Sequence, residues 1–374
     1  MENKFYAVAG DLHFERAQYG LNLRYEDNQR CIEAIIQTVC SDKNCLGLIL
    51  TGDNFNKKSL LPKYQIRFAG LYKRIIAAGK QLIAIDGNHD GSDASWLDTI
   101  SSDLNSDDKV LALGNKKCAC LAFRPRAKLY EKIANLPQVD VLVIHGRLLE
   151  MMSWASSQKE PSYDFSAKEL RELGLKNCTV LMGDIHTYGD YHDPIGNNWF
   201  IYTGSTEMSE ISEGNILSLR FGNHYDTVKK FLRFYPDRKF SENWELVNLP
   251  NRPFLRRIVE ANEDVKLVIA ELDAWVAANP KGMLSLHYPQ AMRTELKEKL
   301  AEWKNALLGL FDVPISHSVA KPLQDMKESD IILIAQQEMS ARQVRFLQKL
   351  LDITDPTPLN VEKVLRPELQ LHEA

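Results

Sequence analysis

Five short apolar runs, each ending abruptly in a polar cluster, constrain this chain more than any other feature of its sequence. The first three are Phe5 to Ala9 before Gly10-Asp11-Leu12-His13, Leu46 to Leu50 before Thr51-Gly52-Asp53, and Leu82 to Ile85 before Asp86-Gly87-Asn88-His89-Asp90. Val141 to Ile144 before His145-Gly146 and Thr179 to Met182 before Gly183-Asp184-Ile185-His186 complete the series. Runs rich in Val, Ile and Leu suit strands of a parallel sheet that is covered on both faces. Between the first two runs Ile32, Ile35, Ile36 and Val39 recur at helical spacing, and between the second and third Phe68, Leu71, Tyr72, Ile75 and Ile76 do the same. Strand, helix, strand in that order calls for right-handed crossovers and a layered α/β sheet. Ligands bind such sheets outside the carboxyl ends of the strands, where the loops converge. Every polar cluster falls at that edge.

The residue types gathered there suit two metal ions. Oxygens of Asp and Asn together with His nitrogens hold Mn, Fe, Zn or, less readily, Mg, and a shared carboxylate bridges two cations about 3.5 to 4 Å apart. The candidate ligands are Asp11, His13, Asp53, Asn88, His145, Asp184 and His186. Gly10, Gly52, Gly87 and Gly183 each stand before one of them, where the lack of a Cβ lets the backbone turn sharply and crowd around the ions. His89 is better placed as a general acid, because a cleaved ester needs a proton on its departing oxygen. Taken singly, Asp11-Leu12-His13 and Gly52-Asp53 are ordinary short sequences, an Asn-His-Asp turn caps helices, and a histidine after a strand is usually packed in the core. Those explanations fail for all of the clusters in this order. His192, His224, His287, His317 and His372 lack such a context and are assigned to surface or packing.

In order and spacing these clusters resemble the calcineurin-like metallophosphoesterase superfamily, whose signature is DxH, GD, GNH[DE], a lone His and GHxH; the likeness covers about residues 5 to 210. The resemblance implies one cation among Asp11, His13, Asp53 and His186, and a second among Asp53, Asn88, His145 and the residue at 184. Asp53 would bridge and His89 would be the catalytic histidine. The chain departs from the common pattern at Asp184, where the family usually has His. Within the superfamily it looks most like the SbcD-type DNA repair exonuclease subunits, a group that includes phage recombination nucleases. Phe200-Ile201-Tyr202-Thr203-Gly204-Ser205 followed by Thr206 to Glu210 is similar to that group's Tyr-Pro-Gly-Ser and acidic segment, with Thr203 in place of Pro. The implied activity is 3′ to 5′ exonuclease on duplex ends and endonuclease on single strands, by in-line hydrolysis with metal-activated water. Two divalent ions, Mn with Mg as the alternative, are the implied cofactors. ATP would be used by an SbcC-type coiled-coil ATPase partner, and no GxxxxGK[ST] loop occurs in this chain. A homodimer acting on DNA completes the implied assembly. Two other readings stay open: a phosphatase or cyclic nucleotide phosphodiesterase of the same superfamily, and a DNA-end scaffold with little chemistry.

The expected fold is therefore an α/β layered metallophosphoesterase sandwich over residues 1–222, a smaller α+β DNA-capping domain over 223–330, and a C-terminal helical segment over 331–374. A length of 374 residues accommodates more than one domain. The formal net charge of -4 opposes nucleic-acid binding by the molecule as a whole, so a DNA surface must be a local patch. Asn223 to Ile258 offers one, with basic residues interleaved with Phe231, Phe234, Tyr235, Phe240 and Trp244; Lys229, Lys230, Arg256 and Arg257 are its candidate DNA contacts. A strand-rich element with aromatics inward and a solvated basic face accounts equally well for that composition. Helices are expected over Val265 to Ala277 and Met292 to Leu308. Near the end, Val344, Leu347 and Leu351 form an apolar stripe suited to packing at home or on the ATPase partner. Six scattered cysteines without a CxxC pair read as reduced, mostly buried thiols. With neither a signal-peptide pattern nor an apolar span of 18 residues, the expected location is the cytoplasm, or the host cytoplasm for a phage protein, with no membrane association.

Overall fold

The structure, a computed structural model, describes residues 3–18, 21–58, 61–90, 95–152, 163–208 and 228–315. Each predicted apolar run is a strand: β1 (Phe5–Ala9), β2 (Cys45–Leu50), β3 (Gln81–Ala84), then after β4 (Val110–Leu113) and β5 (Lys116–Leu121) come β6 (Val141–His145) and β7 (Thr179–Gly183). The helical spacings form α1 (Asn22–Ser41) and α2 (Pro62–Ala77). Two antiparallel partners, β8 (Gly189–Asp193) and β9 (Asn198–Tyr202), follow β7.

Two sheets are built from these strands. The first, which includes β10 (Lys230–Phe234) and β11 (Trp244–Asn248), has the order β11-β10-β1-β2-β3 and the second β4-β5-β6-β7-β9-β8. Within the first, β1, β2 and β3 run parallel with Ala9 beside Leu50 and Leu50 beside Ala84. Parallel pairing in the second aligns Leu121, Ile144, Met182 and Tyr202 in successive strands. This register brings the residues after Ala9, Leu50, Ile144 and Met182 to the C-terminal edges of the two sheets.

Side-chain alternation explains why these strands read as continuous apolar runs. On β1, Phe5, Ala7 and Ala9 face a cluster with Ile32, Ile35, Ile36 and Val39 of α1 and Phe68 and Ile75 of α2. Tyr6 and Val8 face the other way, against Cys118, Cys120, Val141, Val143, Leu181 and Ile201 of the second sheet. The outer face of the second sheet packs Leu142, Ile144, Val180 and Met182 on Leu129, Ile133 and Leu170 from its own helices. The result is helices, sheet, sheet, helices, with every central strand buried on both faces. All six cysteines are free thiols, five of them buried.

The boundary expected at residue 222 falls inside the sandwich. Strands β10 (Lys230–Phe234) and β11 (Trp244–Asn248) belong to the first sheet, and β10 pairs antiparallel with β1. Of the aromatics expected on a DNA-guiding cap, Phe231 and Tyr235 lie in the helix-side core and Phe234 lies between the sheets. Several basic residues of this stretch are also engaged internally: Arg252 donates to both oxygens of Asp27 at 2.5 and 2.8 Å, Arg238 pairs with Glu245 at 2.6 Å, and Arg233 stacks 4.7 Å above Phe5. The strand-rich alternative accounts for the composition of Lys230 to Asn248.

Beyond the sandwich, β12 (Phe254–Ile258), β13 (Met283–Pro289) and β14 (Gly309–Ile315) form a three-stranded sheet in that order. Helices occupy Val265–Ala278 and Arg293–Ala306, close to the predicted spans. The described residues divide into two compact units, one within 3–258, 270–286 and 298–312, the other within 259–269, 287–297 and 313–315. Val344, Leu347 and Leu351 lie outside the described residues.

Candidate metal centre

The loop after β1 is tied to the loop after β2 by backbone hydrogen bonds. Asp11 N–H donates to Gly52 O, His13 N–H to Asp53 O and Phe14 N–H to Asn54 O, each at 3.0 Å. From behind, Asn28 of α1 donates its amide to Leu12 O and His13 O at 3.0 and 3.1 Å. Asp90, fully buried, gathers the loops after β2 and β3: its carboxylate accepts from the backbones of Gly87 (2.8 Å), Asn54 (3.0 Å) and Phe55 (2.7 Å). Asp184 N–H donates to Asp11 at 3.1 Å, which links the second sheet to the first.

Close approach explains the glycines. At Gly52, φ is +102° and a Cβ would stand 2.4 Å from His145 Nδ1; at Gly87 it would stand 2.1 Å from Asp53 Oδ1. The ligand positions themselves are strained. Asp11, His13, Asp53 and Asp184 have φ of 49°, 42°, 51° and 100°, conformations that cost a residue with a side chain on the order of 1 to 3 kcal/mol each and persist where the surroundings enforce them.

Two donor clusters result. Asp11, His13 and His186 offer ligand atoms that all lie within 4.8 Å of one another, and so do Asp11, Asp53 and His145. Asp53 faces both, with Oδ2 4.0 Å from His13 Nε2 and Oδ1 3.5 Å from His145 Nε2. Asp184 Oδ1 is 3.6 Å from His145 Nε2, and Asn88 Oδ1 is 3.0 Å from it. The seven sequence-predicted ligands are thus brought together, and Asp11 reaches both clusters as well as Asp53.

Several features fit a pair of divalent cations. His145 Nδ1 lies 2.9 Å from Thr51 O, so an Nδ1–H tautomer leaves the Nε2 lone pair for a metal. The Asn88 amide oxygen faces both Asp53 carboxylate oxygens at 3.1 Å, acceptor toward acceptor. Turned over, the amide donates to both carboxylate oxygens and to His145 Nε2, which satisfies the contact without an ion. His13 Nε2 and His186 Nε2 approach to 3.0 Å, and buried His13 Nδ1 has no hydrogen-bond partner among the described residues. Ligands at about 2.1 Å from an octahedral cation stand about 3 Å apart when adjacent and about 4.2 Å when opposite, and the separations of 3.0 to 4.0 Å given above fall within that range.

Charge follows the same logic. Burial opposes the charged form of His145, but the carboxylates of Asp53, Asp184 and Asp11 outweigh it and lift its pKa to about 10. A proton there supplies the positive charge that a cation would supply instead. Burial, partly offset by His186 and His145, raises Asp11 to about 6. Burial, with the charges of His186 and Arg16, keeps His13 well below the usual imidazole range and therefore neutral. For Asp184, burial pushes against ionisation, yet the hydrogen bond and charge of His145, with Arg147, hold its carboxyl below the ordinary value.

His89 is exposed beside the clusters. Its backbone N–H donates to Asp53 Oδ1 at 2.9 Å and its Nδ1 lies 3.1 Å from Asn56 O. The ring stands edge-on to His13, with centroids 5.3 Å apart. That arrangement leaves Nε2 for exchange with a substrate oxygen.

The candidate DNA contacts fare differently. Lys229 is buried and donates from Nζ to His186 O at 2.7 Å and Ser205 Oγ at 3.0 Å. Arg257 is buried and pairs with Glu271 at 3.2 Å. Both are committed inside the protein, which removes them as free phosphate contacts; Lys230 and Arg256 are half-buried. Asn28 and Asp90 are supporting residues with no role assigned from the sequence, Arg147 beside Asp184 had none either, and Lys229, expected to contact DNA, holds the backbone of His186 instead. Asn28 carried a signal, a polar residue on the apolar face of α1, whereas Lys229 carried none because His186 is 43 positions away.

A two-sheet α/β sandwich with a carboxylate, imidazole and amide centre at its strand ends defines the class of metallophosphoesterases. This chain belongs to the calcineurin-like phosphoesterase family, whose profile matches residues 6–196. Among curated proteins it is similar to the DNA double-strand break repair protein Mre11 of Halobacterium salinarum, 26% identical over 212 residues, covering 54% of this chain and 52% of that one. It is likewise similar to the proteins of that name from Methanosarcina acetivorans, 25% identical over 56% of this chain and 36% of the relative, and Methanosarcina mazei, 25% identical over 54% and 33%. The match spans about half of the first relative and about a third of the other two. Among the described residues no helix is long and apolar enough to cross a membrane.

Proposed function

We propose that the protein is a metal-dependent DNA nuclease that hydrolyses phosphodiesters in DNA repair or recombination. The observation that carries this reading is the pair of donor clusters that meet at Asp11 and Asp53. Asp11, His13, His186 and Asp53 would hold one divalent ion, and Asp53, Asn88, His145 and Asp184 the other, with Mn the best match to a mixed oxygen and nitrogen set. When bound, the ions activate water and offset charge developing on the phosphoryl oxygens. His89 protonates the departing sugar oxygen from Nε2, while its Asn56 contact holds the ring in position. Asp53 anchors the backbone of His89 and so couples the acid to the metal site. DNA as substrate is supported by the similarity to the archaeal break-repair proteins. Exonuclease action from 3′ ends, endonuclease action on single strands, a homodimer and an SbcC-type ATPase docked on residues 331–374 belong to the same proposal.

The test compares Mn-loaded protein on duplex DNA, single-stranded oligonucleotides, a phosphopeptide and a cyclic nucleotide. Preferential cleavage of DNA is expected. Faster turnover of the phosphopeptide or cyclic nucleotide would overturn the nuclease reading in favour of another phosphoesterase, and DNA bound but uncut would leave a DNA-end scaffold.

A further inference from the structure

Asp184 adds a carboxylate to a centre that already holds Asp11 and Asp53, and the structure sets a cation directly behind it. Arg147, two positions past His145, has Nε 3.6 Å from Asp184 Oδ2, the oxygen not facing His145. Asp164 fixes the same residue from another side: its Oδ2 accepts from Arg147 N–H at 2.8 Å and from Arg147 Nε at 3.1 Å. The guanidinium is thus held along its Nε edge by two carboxylates. Neither Nη1 nor Nη2 donates to any described residue, and the side chain is 35% exposed. A planar fork with one edge anchored and, among the described residues, two terminal nitrogens unspent, beside the candidate metal centre, is arranged for bidentate capture of an oxyanion.

We propose that Arg147 binds the phosphoryl group of the substrate, and that Asp184, besides serving as a ligand, positions it. The exchange of His for Asp at position 184 and the presence of Arg147 are then one device. The carboxylate makes the second metal position more negative, which would repel a phosphodiester, and the guanidinium it holds restores the attraction. The group recognised is a tetrahedral phosphate oxyanion, whether of a diester or of free phosphate. This inference rests on the two-metal reading above but is measurable without turnover.

The experiment measures binding of inorganic phosphate and of Mn to wild type, Arg147→Ala and Arg147→Lys by calorimetry, together with kcat and KM on bis-p-nitrophenyl phosphate. Arg147→Ala is expected to weaken phosphate binding to the Mn-loaded protein by about tenfold to a hundredfold, in line with a lost charge-assisted hydrogen-bond pair. KM on the diester should rise in parallel, while the affinity for Mn does not fall. Arg147→Lys keeps the charge without the fork and should recover only part of the loss. Unchanged phosphate affinity in Arg147→Ala would overturn the proposal, and so would a loss that tracks loss of Mn, since that would make Arg147 a support of the metal ligands. Failure of the wild type to cleave any diester would sink the nuclease reading while leaving the phosphate-binding measurement decisive for Arg147.

Discussion

His89 and Asp184 differ in how the surrounding residues use them, and each gives a distinct experiment. His89 meets the centre only through its backbone N–H to Asp53 and the edge of its ring against His13. His89→Ala should therefore keep metal affinity and lose hydrolysis by about 100 to 10,000-fold, the usual contribution of a general acid. Equal loss of Mn in a titration would make it a ligand instead. Asp184 is inside the cluster, with one oxygen toward His145 and the other toward Arg147. Asp184→Ala should weaken one Mn selectively, so that cleavage requires more metal, while Asp11, His13 and His186 still hold the other. Asp184→His should retain activity and shift preference toward Zn. Two Mn ions bound by Asp184→Ala as tightly as by wild type would exclude it as a direct ligand. The seven candidate ligands that the structure brings together were legible in the sequence because each sits in a short motif directly after or at the end of a strand. The strain at Asp11, His13 and Asp53 was not, since a positive φ leaves no mark on residue type when the residue must be a ligand.

Elements that hold the ligands in place come from distant parts of the chain, which is why local patterns announced the strands better than their supports. Strands β1, β2, β3, β6 and β7 followed from apolar runs, whereas β10 and β11 were hidden in a stretch whose basic and aromatic composition also suits a nucleic-acid surface. Their side chains alternate between the two cores, and pairing with β1 places Lys229 against the loop that carries His186. The buried ammonium donates to His186 O and Ser205 Oγ and so fixes the backbone of one ligand from a strand of the other sheet. Lys229→Met, similar in length but unable to donate, should lower stability by about 1.5 to 3 kcal/mol, the usual contribution of hydrogen bonds to a charged group. It should also weaken metal binding by about 10 to 100-fold, as loss of a residue that orients a ligand does. Thermal melts and Mn titration of the same protein separate the two effects. A lower melting temperature with unchanged Mn affinity would reduce Lys229 to a packing residue.

At the scale of the whole molecule, the described contacts that assemble the centre fall between Ala9 of β1 and Lys229 beside β10, within the first compact unit. The metal centre and any docking segment near the C-terminus are thus separate in sequence, and a single truncation can address them separately. In the sequence, Val344, Leu347 and Leu351 stand at the spacing of an apolar helix stripe, a pattern suited to packing on its own domain or into a partner groove. With a net charge of -4 and with Lys229 and Arg257 committed internally, the chain has less basic surface for gripping DNA than its composition suggested. Under the proposed function, a partner that supplies DNA affinity would then carry more of the binding. Under the proposed function, deleting residues 340–374 should abolish association with an SbcC-type coiled-coil ATPase and leave Mn-dependent cleavage of short single-stranded oligonucleotides within about twofold of wild type, because all the candidate ligands lie between Asp11 and His186 and independent sites contribute additively. Sedimentation of the mixed subunits reads the first outcome and a nuclease assay of the isolated chain reads the second. If the truncated chain unfolds or loses cleavage on its own, the segment belongs to the fold that supports the centre, and the partner must dock elsewhere.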